Sequence, residues 1–306
     1  MDTNSTNLRQ SDNKAKIEGV LSEMTLERKI GDKDSKHPGV EYINGSLTIK
    51  SDDVNFTRVN AFSWAVAKDD KGNYTKENNI FKGLTTIMNE YKTIAEVGED
   101  EATKIRITNG DFNFYTTQDG RDAIGIKSNF FNRVTGEYTP KSEFEIETYI
   151  SAIVPEMSKE GEETGRLIVK GWTVNYDGVK PVVYIAPQEI ASDVESTFEV
   201  GMTARFFGNM INNRVEIVKE IPMAIGPARK DVSYSYKNEF VITGASEAYE
   251  EGISQNPPYE KSAMDLAIQE RTNRIEEEKA KKVNNANPFN KGSESSGASK
   301  GREIKW

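Results

Sequence analysis

From Lys16 to about Gly244 the chain is a succession of short apolar–polar alternations separated by turn clusters, and this period of two constrains the fold more than any other feature. Alternation at every second residue gives a strand two unlike faces, so a mainly β fold is expected. The first runs are Lys16–Ile30, Val40–Lys50 and Val54–Ala67. They are divided by turns at Asp32–Gly39 and Ser51-Asp52-Asp53, and Asp69-Asp70-Lys71-Gly72-Asn73 ends the third. One interruption is helical: Ile80, Phe81, Leu84, Ile87, Met88, Tyr91, Ile94 and Ala95 recur at the spacing of one apolar helix face. Strands resume at Lys104–Thr116 and Arg121–Val134, with a turn at Gln118-Asp119-Gly120 between them.

Three strands, a helix and two strands are the element order of a five-stranded OB-type barrel. A second unit follows from about Ser142, with strands at Glu143–Pro155, Arg166–Tyr176, Val179–Pro187, Thr197–Ile211, Arg214–Ile225 and Tyr234–Thr243. Only the short Gln188–Glu195 connection stands where its helix would be, so this barrel is expected to be reduced or decorated. An internal echo links the units: Gly39-x-x-x-Ile43-x-Gly45 returns as Gly165-x-x-x-Val169-x-Gly171, 126 residues on. Glycines inside strands mark the bulges and bends that a small barrel needs to close. The expected organisation is a disordered segment 1–14, OB-like domains over 15–140 and 141–245, a linker and charged helix over 246–283, and a disordered tail 284–306. Pro257-Pro258 opens that helix, whose thin apolar stripe is Met264, Ala267, Ile268 and Ile275.

Composition excludes several kinds of chemistry. There is no cysteine, hence no disulfide, thiolate zinc site or cysteine nucleophile, and the single histidine, His37, cannot furnish an HExxH pair. Neither GxxxxGK[ST] nor GxGxxG occurs. No catalytic centre, cofactor or metal is expected, and no membrane span, because no run approaches about 20 apolar residues. The first sixteen residues lack the apolar stretch of a secretory leader, so a cytoplasmic location is expected. A net charge of −9 disfavours a uniformly basic nucleic-acid binder but leaves room for one locally positive face.

Such a face is visible in Thr164–Gly178. Arg166, Ile168, Lys170, Trp172, Val174 and Tyr176 share one parity. Cations neutralise phosphates while flat rings stack on unpaired bases, which is what single-stranded nucleic acid requires of a barrel sheet. The competing reading makes Trp172 a core residue. The first unit offers Phe56, Arg58, Asn60, Phe62 and Trp64 on one parity, with at least two of these rings expected to fill the barrel. Arg106 and Phe112 share a parity on the following strand unless a bulge at Gly110 swaps it, and Arg205 and Phe207 share one in the second unit. The candidate nucleic-acid residues are therefore Arg58, Trp64, Arg106, Phe112, Arg166, Lys170, Trp172, Tyr176, Arg205 and Phe207.

Glu18-Gly19-Val20-Leu21, the Gly165–Tyr176 strand and Gly201-Met202-Thr203-Ala204-Arg205-Phe206-Phe207-Gly208 resemble single-stranded DNA-binding proteins encoded by tailed bacteriophages of Gram-positive hosts. The resemblance spans roughly residues 15–245 and lies in pattern and spacing. It implies coating of single-stranded DNA without sequence preference in phage replication or recombination, with single-stranded DNA as partner and replication or recombination proteins as further ones. The ending departs from bacterial proteins of like function, which finish on an acidic tail with a terminal Pro-Phe. Here Asn287-Pro288-Phe289 is internal and the last residues, Arg302-Glu303-Ile304-Lys305-Trp306, are basic on balance. The rival expectation is a phage virion protein of the tail or capsid, which would use the same aromatics at subunit interfaces and have no affinity for nucleic acid.

Overall fold

A computed structural model describes residues 8–117, 121–221, 223 and 229–286. The first half contains β1 (Asn13–Met24), β2 (Glu27–Ile30), β3 (Glu41–Lys50), β4 (Phe56–Trp64), β5 (Val66–Lys68), β6 (Tyr74–Glu77), α1 (Asn79–Glu90), α2 (Ile94–Val97), β7 (Lys104–Thr116), β8 (Asp122–Lys127) and β9 (Asn132–Arg133). The second half contains β10 (Lys141–Met157), β11 (Glu163–Asn175), β12 (Gly178–Ala186), α3 (Gln188–Thr197), β13 (Thr203–Ile221), β14 (Arg229–Ala245) and α4 (Lys261–Ala286).

Strand pairing closes two circuits. β1 pairs with β3, β3 with β4, β4 in parallel with β8, β8 with β7, and β7 again with β1. β10, β11, β12, β14 and β13 repeat that circuit, with β12–β14 as the parallel pair. Each half is thus an OB-type barrel, and closure leaves few unpaired edges. The barrels are joined through antiparallel pairing of β1 with β10, from Asn13 opposite Ile146 to Glu18 opposite Lys141. One sheet therefore runs through both barrels.

The alternation read from sequence produces the core. Ile43, Leu47 and Ile49 of β3 and Thr57, Val59, Ala61 and Ser63 of β4 point inward. In the second barrel Phe144, Tyr184 and Phe206 are buried, with ring centroids 5.2–5.5 Å apart along that chain of contacts. Aromatic side chains shield about 150–250 Å² each, so such a cluster dominates the barrel's apolar burial. Phe112 meets Phe240 edge-on at 5.7 Å and carries the core from one barrel into the other.

The glycine echo has a structural counterpart. Gly39 and Gly165 have φ of +74° and +78°, a region where a Cβ is strained. A Cβ on Gly45 would lie 2.2 Å from the Thr25 carbonyl oxygen, and one on Gly171 would lie 2.2 Å from Thr148 Cγ2. Gly171 thus lets β11 lie hard against β10, while Gly45 lets β3 approach the chain just beyond the end of β1.

Several details differ from expectation. The single helix expected over Ile80–Ala95 is two, α1 and α2. Tyr91 caps α1, turns inward and donates its hydroxyl hydrogen to the Phe131 carbonyl at 2.7 Å, while Thr93 N–H donates to Glu96 and starts α2. The second barrel is not reduced, because α3 occupies the connection between its third and fourth strands, with Val194 buried and Ile190 and Ala191 against the core. The runs expected at Thr197–Ile211 and Arg214–Ile225 are joined in one strand, β13, over Thr203–Ile221; Thr197 instead ends α3, and 222, 224 and 225 lie outside the described residues. Residues 8–14, expected to be disordered, are ordered: Leu8 packs against the apolar cluster that Tyr149, Val174, Val179, Tyr259, Met264 and Ala267 form, and β1 begins at Asn13. Residues 284–286 continue α4, and the remainder of the expected tail, 287–306, lies outside the described residues, as do 1–7.

Candidate nucleic-acid interface

On β4 the residues that alternate with the core set are Phe56, Arg58, Asn60, Phe62 and Trp64, and all five lie on the outer face. None of these rings fills the barrel, contrary to expectation. Opposite them on β3 stand Lys50, Thr48, Ser46, Asn44 and Tyr42, in that order. The register places Tyr42 directly across from Trp64, with centroids 4.9 Å apart, and Phe62 lies 5.7 Å from Tyr42 and 5.6 Å from Trp64. Phe62 remains 45% exposed.

Polar groups flank this aromatic floor. Arg58 is exposed, donates from Nε to Ser46 Oγ at 2.9 Å, and forms no ion pair among the described residues. Lys127 of β8 is level with Asn60 across the parallel pairing and is also exposed without an ion pair among the described residues. Beyond it, Tyr115 of β7 lies against Gly125, whose missing side chain leaves room for the ring on the sheet. At the other end the loop Gly31–Val40 bends over the rings. His37, in the turn expected at Asp32–Gly39, is half-buried, 5.1 Å from Trp64 and 4.1 Å from Tyr74. Gly31, Asp32, Ser35, Tyr42, Asn44, Phe62 and Trp64 enclose an open pocket of about 300 Å³. The sheet face and its pocket offer flat apolar surfaces bordered by two cations, the arrangement that suits stacked bases and their phosphates.

The remaining candidates are distributed elsewhere. Phe112 is in the core, not on the face. A register shift between β1 and β7 at Gly110 swaps parity, so that Ile105 and Ile107 point inward before it and Phe112 and Phe114 after it. Arg106 does point outward but is engaged by Glu18, with Nε–Oε2 at 2.7 Å and Nη2–Oε1 at 2.9 Å, and it also donates to the Glu137 carbonyl. Glu18 is almost wholly buried, and the Arg106 hydrogen bond, with help from Thr139 N–H, holds its carboxyl below the usual range. A buried carboxylate left without that partner would be costly, so Arg106 is committed to the fold.

In the second barrel Arg166 is paired with Glu156 at 3.1 Å and Glu239 at 3.6 Å. Arg205 is paired with Asp12 at 2.9 Å. Phe207 is half-buried on β13, away from the β11–β12 face, and Tyr176 projects from the β11–β12 turn, 72% exposed. Lys170 is exposed with no ion pair among the described residues. Trp172 lies on the outer face, but α4 covers it: Met264 and Ala267 are buried beside it with Val174, Val179 and Tyr149, and the Arg271 guanidinium carbon is 5.5 Å from its ring centroid.

Sequence reasoning missed Tyr42, Phe62 as a binding residue, Tyr115 and Lys127. Tyr42 and Phe62 had a signal, since both are out of phase with an evident core set. The β13–β14 hairpin was missed as a unit. It leaves the second barrel beside the start of β4, where Asn212 N–H donates to Asn55 Oδ1 at 3.0 Å and Asn213 bridges to Asn55. Among its described side chains Lys219, Arg229, Lys230 and Lys237 are exposed.

Among solved structures, the chain is similar to the wild-type single-stranded DNA-binding protein from Thermus aquaticus, at 9% identity and a TM-score of 0.48, over 81% of this chain and 98% of that one. A deletion mutant of the same Thermus aquaticus protein gives 9% identity and a TM-score of 0.44, over 81% and 99%. No curated protein matches. The YorF family model matches residues 11–281, and the chain belongs to the YorF family.

Proposed function

We propose that the protein binds single-stranded DNA with little sequence preference, on the outer face of β3 and β4 in the first barrel, and that it performs no catalysis. The observation that carries this reading is the outward-facing group Tyr42, Phe62 and Trp64, with Phe62 exposed and the other two rings half-buried, within 5.7 Å of one another and on the same strand face as Arg58, which has no ion pair among the described residues. Every base has a π-face, so rings bind any sequence, and each stacked base contributes about 1–3 kcal/mol. A duplex keeps its bases stacked on one another and cannot use such rings. Arg58 and Lys127 supply phosphate contacts on the sheet, Lys170 stands on the outer face of β11 in the second barrel with Tyr176 in the turn that follows, and the basic side chains of the β13–β14 hairpin lie where OB-type barrels often contact oligonucleotides.

The protein's own charge of −9 opposes the approach of a polyanion, so the cations on the face act locally. Coating of single strands during phage DNA replication or recombination, in the cytoplasm of the host, is the role that this binding would serve. Competition anisotropy tests the reading: a labelled oligo(dT) should be displaced by oligo(dA) and not by duplex DNA at equal nucleotide concentration. Equal displacement by duplex would overturn it, and no binding at all would favour the virion role, in which the same rings join subunits.

A further inference from the structure

The two barrels share one circuit of strands, so β11 and β12 correspond to β3 and β4, yet only the first barrel's face is open. On the second, α4 lies across Trp172. Its grip is short. Met264, Ala267, Ile268 and Arg271 make the contacts, and from Thr272 to Ala280 all but Ile275 is exposed. Lys170, one step along the same face, is left uncovered and without an ion pair among the described residues.

We propose that the β11–β12 face is a second single-strand site held shut by α4, and that a strand long enough to run past the first barrel displaces the helix and stacks on Trp172. This rests on the first-barrel reading given above. Arg271 now occupies the place over the Trp172 ring that a base would take. The same guanidinium is held at 2.5 Å by Asp122, the first residue of β8, whose side chain is 40% exposed. Lys127 and Asp122 stand at the two ends of β8 and on opposite parities, so a strand that passes from Lys127 along β8 and round its Asp122 end brings a phosphate within reach of Arg271. A phosphate can replace a carboxylate as the partner of a guanidinium in the same forked geometry, and Asp122 is at the same time repelled by the polyanion.

Arg271 then exchanges Asp122 for the strand, and the ring is uncovered. The start of the helix stays in place. Tyr259 N–H donates to Thr203 Oγ1 at 3.0 Å, its hydroxyl pairs with Ser11 at 2.8 Å, and Arg9 lies 4.4 Å over its ring. Tyr259 therefore acts as the hinge from which a tethered α4 swings away and returns.

Hydrogen exchange on the full-length protein tests this, with oligo(dT) of about 8 and about 30 nucleotides chosen to fill one barrel or to overrun it. The amides of Met264–Arg271 should lose protection with the longer oligonucleotide and keep it with the shorter. A Met264→Ser variant, checked for an unchanged barrel by the exchange of β1 and β10, should loosen α4 beforehand. It should tighten the longer oligonucleotide by about tenfold, the opening no longer being drawn from binding, and leave the shorter unchanged. Full protection of Met264–Arg271 under saturating long oligonucleotide would overturn the proposal, as would unchanged long-oligonucleotide affinity in a variant whose α4 amides exchange freely. Absence of binding to the short oligonucleotide would overturn the first-barrel reading and this proposal together.

Discussion

Replacing Phe62 by alanine separates a binding ring from a structural one. Phe62 is 45% exposed, and its neighbours are two other surface rings, Tyr42 and Trp64, not the core. Slightly more than half of the roughly 200 Å² that such a ring can bury is already shielded. At about 25 cal/mol per Å² its truncation costs at most about 3 kcal/mol of stability, an upper bound because the unfolded chain also shields part of that area. Against the usual ~5–15 kcal/mol for a domain, the variant stays folded at room temperature. Binding should suffer more visibly. Loss of one stacked base, about 1–3 kcal/mol, weakens Kd about 5- to 150-fold. No cation is removed, so the slope of log K against log salt should not change. Anisotropy with labelled oligo(dT) at two salt concentrations measures both quantities, and urea unfolding measures stability. A Kd within twofold of the parent at both concentrations, or a loss that disappears at the higher one, would refute the stacking argument.

Three further outcomes follow from the same geometry. Arg58→Ala and Lys127→Ala should each flatten the salt slope by about 0.7, one phosphate's share on a single strand, as read by the same titrations. Trp172→Ala should cost about 1–3 kcal/mol in unfolding experiments, because α4 loses its seat, and leave the affinity for a short oligonucleotide as it was. Arg106→Ala should be pH-dependent. Glu18 has a lowered carboxyl pKa in the folded protein because of the Arg106 hydrogen bond, so that pair stabilises the fold above the ordinary carboxylate pKa of about 4.3 and its contribution fades as pH falls through the lowered value. Melting curves of parent and variant should therefore lie furthest apart near neutral pH and converge in acid; a gap that is constant with pH would count against the ion pair.

The first barrel was legible in sequence because its signals are local. Turn clusters, the alternation and one helical stretch define its strands without knowledge of what they touch. The second barrel's helix was overlooked although Pro187 precedes it and Ile190, Ala191 and Val194 lie on one helical face; ten residues with one buried side chain give a weak periodic signal. The site was less legible, for two physical reasons. Alternation says that Trp172 and Val174 differ from Thr173 in direction, but not that a helix some 90 residues later will lie on that side. Arg106 looked available because its partner, Glu18, is 88 residues away and meets it only through the β1–β7 register. Phe112 was misplaced by one residue of slippage at Gly110, which reverses every side chain after it. The rings of the first barrel were undervalued because a strand rich in Phe and Trp usually turns them inward, and here Thr57, Val59, Ala61 and Ser63 fill the inside instead.

Unpaired bases that lie on Tyr42, Phe62 and Trp64 can be caught there by photochemical cross-linking. An oligo(dT) of about 8 nucleotides, the scale of one barrel's site, carrying 5-iododeoxyuridine at successive positions, would be irradiated with the full-length protein. The linked peptides would then be identified by mass spectrometry. Cross-links are expected at Tyr42, Phe62, Trp64 and Tyr115, and none at Trp172 with an oligonucleotide of that length. Cross-links confined to the second barrel, or spread evenly over the tyrosines of the surface, would contradict that placement of the bases.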